Sequence, residues 1–536
     1  MRRTRRGFRA SLLALLLVFG LVAAACGGSD SSSEDEGDGG STPATDQPSD
    51  IDPNGTIKVA YDLIATMRGG KFTLDPAATN TPLTDDALFY LLYGRLMRPS
   101  GKGDLVPDLA ESATIVDGNT IEVKLRPDLT FSDGTEFNAD TVKAGLERSL
   151  NSGNTVGFSK PFFDLKTITV VDPLTVELSI PGTAANWYDS YLGSWESTIV
   201  KPGTTDFEKP IGAGAMALSD YKPQTSLTLT KSDTYWDKDN VRYGGLELVG
   251  VTANDQQAAV NALAAKTVDM APATVQLMPS LGSGNEAYVV ENPNRLMTFQ
   301  ICKKDGPLAN ADVRKAISMA VDRETINEAL YEDTYTIAQG LWPAGHRLHN
   351  PALDEEVVFD LEGAKQLLAD AGYADGFTMD AYVLQTAGLP ELIQVVQQSL
   401  EQIGIKVNIN AATNYPDDFL LPQKAGIGVV PNIGSNRAKL DQWSGDGLGN
   451  ACKYKDEEID SLKAELLTVS DSTDEAVELW HQLEQKGIGD GMLNVPLLFA
   501  ASVVGYNPSV VADPSVLTVS TQLYLPDPRI TYVKAK

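Results

Sequence analysis

Residues 105–148 carry the pattern that most narrows the fold: LVPDLAESATIVDGNTIEVKLRPDLTFSDGTEFNADTVKAGLER. Thr120–Leu125 (TIEVKL) alternates apolar and polar side chains, the period of a strand with one buried face. Residues 132–135 (SDGT) supply a turn, because glycine tolerates positive φ and Asp bonds its own backbone. Asn138, Ala139 and Asp140 then open a helix running to Arg148, with an Asx residue placed to cap its free amides. Residues 107–112 (PDLAES) read as a turn followed by a helix start. This alternation of strands and helices recurs along the chain and points to an α/β architecture.

At 536 residues the chain exceeds what one hydrophobic core serves, so two or three lobes are expected. The 72 acidic residues outnumber the 43 basic ones, for a formal charge of −29. Five arginines (Arg2, Arg3, Arg5, Arg6, Arg9) sit in the first ten residues, so the remainder is more acidic still. Such a surface repels phosphates and argues against nucleic acid as a partner. It identifies no cationic ligand, since surface acidity is ordinarily a matter of solvation.

The basic head is followed by the apolar run 10–25 (ASLLALLLVFGLVAAA) and then Cys26-Gly27-Gly28. That run is shorter than the ~20 residues of a membrane span and suits a signal peptide. A Cys after small residues resembles a bacterial lipobox, which implies removal of residues 1–25 and lipidation (palmitate) of Cys26. Ala23 stands where Leu is usual there. A plain signal peptide and an uncleaved anchor are the alternatives. Residues 4–9 (TRRGFR) also resemble a twin-arginine export motif. Residues 27–50 hold almost no apolar side chain and read as a disordered tether, roughly 25–30 Å in mean span.

Further blocks join the opening one. Leu74-Asp75-Pro76 precedes an amphipathic helix over 84–96, with two acids in its first turn and Tyr93-Gly94-Arg95-Leu96 at its end. Residues 167–180 form a hairpin with Asp172-Pro173 at its turn. Residues 209–221 keep Gly212 and Gly214, and 227–236 end in Tyr235-Trp236. Residues 296–320 read as strand, loop and a helix bearing Asp312-Val313-Arg314-Lys315-Ala316-Ile317, followed by Val321-Asp322-Arg323. A helix followed by a turn is expected over 255–269, and helices at 361–373 (closed by Gly372), 456–467 and 473–483. Strands are expected at 56–60, 405–409 and 494–498.

In order and spacing these blocks resemble the family 5 extracytoplasmic solute-binding proteins, the oligopeptide, dipeptide and nickel-binding type that feeds ABC importers. The resemblance covers residues 56–536. It is weaker at 213–216, where Ala213 and Ala215-Met216 replace Thr and Pro-Tyr. It implies a two-lobed α/β periplasmic-binding-protein fold, type II-like with an extra small domain, and a ligand cleft between hinged lobes. The implied order is signal peptide 1–25, lipidated Cys and tether 26–55, lobe I 56–100, small domain II 101–205, lobe I 206–299, lobe III 300–497 and lobe I 498–536. The implied job is capture of a peptide or peptide-like solute and its delivery to an ABC permease, without catalysis and without a cofactor. The protein would be lipid-anchored on the outer face of the bacterial cell membrane. A sensor or adhesion lipoprotein on the same fold is one alternative. A surface hydrolase is another, and it requires two acids with opposed pKa shifts on one pocket wall.

The resemblance also proposes a site. The loop after Pro76 brings Asn80, Thr81 and Pro82 to the cleft, and Tyr415 stands where relatives stack an aromatic on ligand. Gly428, Val429 and Asn432 lie near the place of an aspartate that pairs with a peptide ammonium. Asn432 accepts a hydrogen bond but brings no charge. A desolvated ammonium there loses an ion pair, on the order of a few kcal/mol, unless Asp417, Asp441 or Asp446 supplies it. Trp187, Tyr188 and Trp443 read as core or ligand-facing aromatics.

Cys302 and Cys452 would face an oxidising compartment, and some relatives bridge comparable segments, so a disulfide is implied, with two buried thiols as the alternative. No nucleophile elbow, Walker A, HExxH or CxxC motif occurs. His346 and His349, three apart in a Pro/Gly loop, lack a clear third ligand and read as a surface loop rather than a metal site.

Overall fold

The computed structural model describes residues 50–63, 72–79, 82–99, 105–152, 165–180, 184–251, 256–290, 295–302, 306–384, 388–412, 416–433, 436–440, 442–443, 450, 453–517 and 525–535. The expected signal peptide, Cys26 and residues 27–49 of the expected tether lie outside them, and the tether's end at 55 is corrected: Ile51 bridges Lys534, Asp52 N donates to Val533 O at 2.8 Å and Gly55 is buried, so residues 51–55 pack against the last strand.

The chain opens with β1 (Thr56–Asp62) and α1 (Pro82–Tyr93). The amphipathic reading of α1 is corrected: residues 85–93 are buried on every side. A helix apolar all round belongs inside a core, and its acids then need specific partners. Asp85 accepts a hydrogen bond from Thr79 Oγ1 at 3.0 Å, and Asp86 pairs with the buried Arg95 guanidinium.

After the ribbon β2 (Met97–Pro99) and β3 (Leu105–Pro107) come β4 (Ala110–Asp117), β5 (Thr120–Leu125), α2 (Ala139–Asn151), β6 (Thr167–Asp172), β7 (Thr175–Ser179) and α3 (Ala184–Tyr191). The four longer strands form an antiparallel sheet in the order β4-β5-β7-β6. The helix start expected at 110–112 is instead the first part of β4. Pairing of Ala110 with Leu125 and of Ser112 with Lys124 overrides the local helix propensity of Ala-Glu-Ser. The cap of α2 is as read. Asn138 accepts from Thr141 N at 3.2 Å, and Thr141 Oγ1 accepts from Asn138 N at 3.0 Å. Val123, Phe131, Phe137, Leu146 and Trp187 fill a core of their own beneath this sheet.

β8 (Met216–Lys222), β9 (Ser226–Lys231), β10 (Gly245–Val251), α4 (Gln256–Ala264), β11 (Met270–Ala273) and β12 (Glu286–Val290) return to β1. β1 pairs in parallel with β10 over its whole length. Gly212 and Gly214 run against the end of α1, where a Cβ would collide with the carbonyl oxygens of Leu92 and Leu91. Close backbone approach is what demands glycine there.

The next stretch builds a separate body from β13 (Arg295–Cys302), α5 (Ala311–Met319), α6 (Arg323–Tyr331), β14 (Thr336–Ile337), α7 (Ala352–Glu356), α8 (Leu361–Asp370), β15 (Phe377–Leu384), α9 (Leu389–Glu401), β16 (Ile405–Ala412), β17 (Gly426–Ile433), α10 (Asn436–Leu440), α11 (Glu457–Leu466), α12 (Asp474–Glu484) and β18 (Asn494–Phe499). Its six-stranded sheet has the order β14-β18-β13-β17-β15-β16. β19 (Ser502–Tyr506) then rejoins the seven-stranded sheet, order β12-β19-β11-β1-β10-β9-β8, and β20 (Val511–Ala512) with β21 (Tyr532–Val533) closes the chain.

The two large sheets have distinct cores, one around Phe89, Leu229 and Leu248, the other around Phe299, Ile317 and Leu392. The chain passes between them twice, from β12 to β13 and from β18 to β19. These passages touch: Ala500 N donates to Arg295 O at 2.9 Å.

The sequence blocks at 312–323 prove architectural. Arg314 is buried and donates to the carbonyls of Gly491, Leu308 and Ala309. Arg323 donates to Pro496 O at 2.8 Å and to Ser318 Oγ at 3.0 Å, and burial alone lowers its pKa to about 10. Arg314 thus fastens the short helix at 307–309 to Gly491, and Arg323 fastens the end of α5 to β18.

Candidate functional site

Much of the expected site falls beyond what can be described. Asn80, Thr81, Tyr415, Asp441, Asp446 and Cys452 lie outside the described residues, and Pro82 appears only as the first residue of α1. Gly428, Val429 and Asn432 all lie on β17, which runs between β13 and β15. In the antiparallel register Gly428 faces Gln300, Val429 faces Phe299 and Asn432 faces Leu296. Val429 is buried in the core of this lobe. Cys302 ends β13, buried and opposite Gly426. Trp187 and Trp443 are each 1% exposed and pack as core residues, while Tyr188 is half-buried against the small core.

Directly after β17 the structure gathers polar groups that sequence reasoning missed. Lys439 on α10 is 1% exposed, its Nζ lies 4.6 Å from the centre of the Trp342 ring, and it has no hydrogen-bond partner among the described residues. Trp342 packs edge-on against Trp480 (4.6 Å) and stacks on His346 (5.9 Å). Its Nε1 donates to Asn436 Oδ1 at 3.2 Å. Asn436 Nδ2 donates to Asp471 Oδ2 at 2.7 Å, and Trp480 Nε1 donates to Asp471 Oδ1 at 2.8 Å. Glu484 is fully buried. One of its oxygens accepts from Leu341 N at 2.6 Å, and the other has no hydrogen-bond partner among the described residues. Beside it, Asn494 bonds Gln442 Oε1 (2.6 Å) and Trp443 Nε1 (3.2 Å), and Gln442 Nε2 is unpaired.

Burial sets the electrostatics here. Desolvation pushes Glu484 up to about 8 against the pull of Leu341 N–H and Lys439. It lowers Lys439 to about 7 although Glu484 and Asp471 oppose it. His346 falls to about 4, first through burial and then through Lys439 and His349. Asp471 is also raised by burial. Burial thus raises both acids of the cluster. One signal could have revealed Glu484: the buried face of α12 runs Ala476, Leu479, Trp480, Leu483, Glu484, so the acid occupies a core position of a 3.6-residue period. His349 Nε2 lies 3.0 Å from Asp354, and among the described residues no group of three or more His, Cys, Asp or Glu could hold a metal ion.

The small-domain helix α3 also meets this lobe. Asp189 Oδ1 accepts from Ser470 Oγ at 3.0 Å, and Oδ2 accepts from Asp471 N at 2.8 Å. Asp471 thus faces α3 with its backbone and the Trp342–Trp480 cluster with its side chain. Among the described residues no helix is long and apolar enough to cross a membrane.

Comparison with known proteins agrees with this geometry. A family model for bacterial extracellular solute-binding proteins, family 5 (middle region), matches residues 104–427, more than half the chain. The glutathione-binding protein GsiB of Salmonella typhi is 26% identical over 363 residues, covering 66% of this chain and 70% of the relative. A nickel ABC transporter protein from Bacillus halodurans superposes with a TM-score of 0.74 at 22% identity, covering 88% of this chain and all of its own. The ABC transporter substrate-binding protein CtaP of Listeria monocytogenes gives 0.73 at 20% identity, covering 90% and 100%.

Proposed function

Because the chain belongs to the bacterial extracellular solute-binding proteins of family 5, we propose that it captures a peptide or peptide-like small solute between its lobes and hands it to an ABC permease. The observation that supports this reading is the pair of touching passages at Arg295 and Ala500, which join two separately cored sheets at the place where a hinge between them would act. A ligand that binds the closed arrangement better than the open one drives closure by that difference alone. GsiB, named for glutathione, supports a peptide-like cargo. No catalytic step is part of this reading.

Lobe I is assigned to 56–100, 206–299 and 498–536, the small domain to 101–205 and lobe III to 300–497. The cleft takes in Asn80, Thr81, Pro82, Tyr415, Gly428, Val429 and Asn432. Cys26 carries the lipid that holds the protein outside the cytoplasmic membrane. Cys302 pairs with Cys452, a reading supported by Cys302 being disulfide-bonded. Closing a loop of this length contributes about 4–5 kcal/mol in the chain-entropy description.

Thermal unfolding with trialanine, reduced glutathione, nickel–histidine and maltotriose tests the cargo class. A bound ligand at 100 times its Kd adds about 2.7 kcal/mol to stability. A shift with the peptides supports the proposal. A shift with maltotriose alone, or with none of the four, overturns the peptide assignment.

A further inference from the structure

α3 and the turn before α12 belong to separately packed bodies, and their contact is a carboxylate receiving two donors. The acceptor side is held firmly. Trp187 and Tyr191, rings 6.0 Å apart, bury the inner face of α3 and fix the direction in which Asp189 projects. The donor side is equally constrained. Ser470 O accepts from Thr473 N (3.0 Å) and Thr473 Oγ1 (2.8 Å), and Thr473 in turn caps α12 through Ala476 N at 3.1 Å. The Asp471 carboxylate is tied to Trp480 and Asn436. Groups already held in bonding geometry lose little freedom when they meet. Neither crossing strand takes part, so this contact can break while the lobes remain joined.

We propose that Asp189 is a positioning residue for solute capture, a latch that holds the small domain against the Ser470–Asp471 turn when the lobes close. The role rests on the solute-binding reading above. It also links the latch to the cleft, because Asp471 reaches α10 through Asn436, and α10 follows the strand that carries Gly428, Val429 and Asn432. When the lobes part, water replaces both bonds, so the latch biases the equilibrium by about tenfold rather than locking it. Asparagine at 189 keeps one acceptor oxygen and sets an NH₂ against a donor.

The test uses the full chain and the variants Asp189→Asn, Asp189→Glu and Ser470→Ala, without added ligand. Amide hydrogen exchange across 468–473 reads the Asp471 N–H directly, and small-angle scattering reads the separation of the lobes. Exchange about tenfold faster in D189N, with a larger radius of gyration, an unchanged melting temperature and partial rescue in D189E, is expected. Smaller changes in the same direction are expected for S470A. Unchanged exchange and scattering in both D189N and S470A overturn the latch. Melting shifts with trialanine or reduced glutathione are measured separately on the unmodified protein. A latch effect without any such shift sinks only the cargo assignment, and a shift without a latch effect sinks only the latch.

Discussion

Lys439 and Glu484 lie buried in one cluster, the amine and one carboxyl oxygen both without a hydrogen-bond partner among the described residues, and burial drives each toward its neutral form. The acid, raised from 4.5 to about 8, holds its proton in the fold after the unfolded chain has released it. The folded state therefore binds more protons between those values, and stability falls as pH rises through that window. The amine, lowered from 10.5 to about 7, works oppositely, and its contribution to stability rises between pH 7 and 10.5. Urea titrations at pH 5 and pH 8 isolate the acid when the unmodified protein is compared with Glu484→Gln. The unmodified protein should lose on the order of 1–3 kcal/mol relative to the variant over that step. Parallel pH curves would rule out a raised carboxyl.

His346 gives a second window on the acid side. Its folded pKa of about 4 lies below the ordinary 6.5, so the unfolded chain takes up a proton first. The contribution of the neutral ring is fully present above pH 6.5 and is lost as pH falls toward 4. His346→Phe keeps a flat ring against Trp342 and cannot titrate. Its stability should fall less between pH 7 and 5 than that of the unmodified protein, as read by the midpoint of urea unfolding.

Close backbone approach predicts a contrast between two glycines. Gly214 meets the Leu91 carbonyl at the end of α1, whereas a Cβ on Gly118, in the turn between β4 and β5, would meet nothing within 4 Å. Gly214→Ala should cost about 1–3 kcal/mol through forced displacement of α1, and Gly118→Ala should stay within ~0.5 kcal/mol. Equal melting temperatures for the two variants would contradict the packing argument.

The elements most readable in the sequence were those whose signals are local. Asn138 and Asp456 cap the helices they precede, Thr120–Leu125 is a strand at the expected bounds, and Gly372 ends α8 with φ of +89°. The failures required knowledge of neighbours. Residues 110–112 favour helix alone, yet pair with β5, and α1 carries acids that look solvated until Arg95 and Thr79 are found beside them. Most of the polar cluster was illegible for the same reason: Lys439, Asp471 and Glu484 are far apart in sequence, only the helical period of α12 marks Glu484, and nothing local marks a lysine as buried.

Asp108, within the stretch that most narrows the fold, is a buried carboxylate whose loss should act locally. Its Oδ2 accepts from Arg95 N at 3.1 Å, and its Oδ1 accepts from Tyr235 OH at 3.3 Å and Trp236 Nε1 at 3.2 Å. Its carbonyl takes Arg126 Nε at 2.6 Å, and that guanidinium lies 3.8 Å over the Trp236 ring. One residue therefore joins the end of α1, the strand β4 that follows it and the loop after β9. Asp108→Asn leaves a single acceptor oxygen for three donors, one of them a backbone amide that cannot turn away. A buried donor without its partner costs about 1–3 kcal/mol. The loss should be regional, because the partners Arg95, Tyr235, Trp236 and Arg126 all lie outside β13 to β18. Hydrogen exchange should accelerate over β4 to β7 and α2, with the protection of β13, β15 and β17 preserved. Uniform acceleration across both large sheets would mean that Asp108 supports the whole fold instead of fastening the small sheet to it.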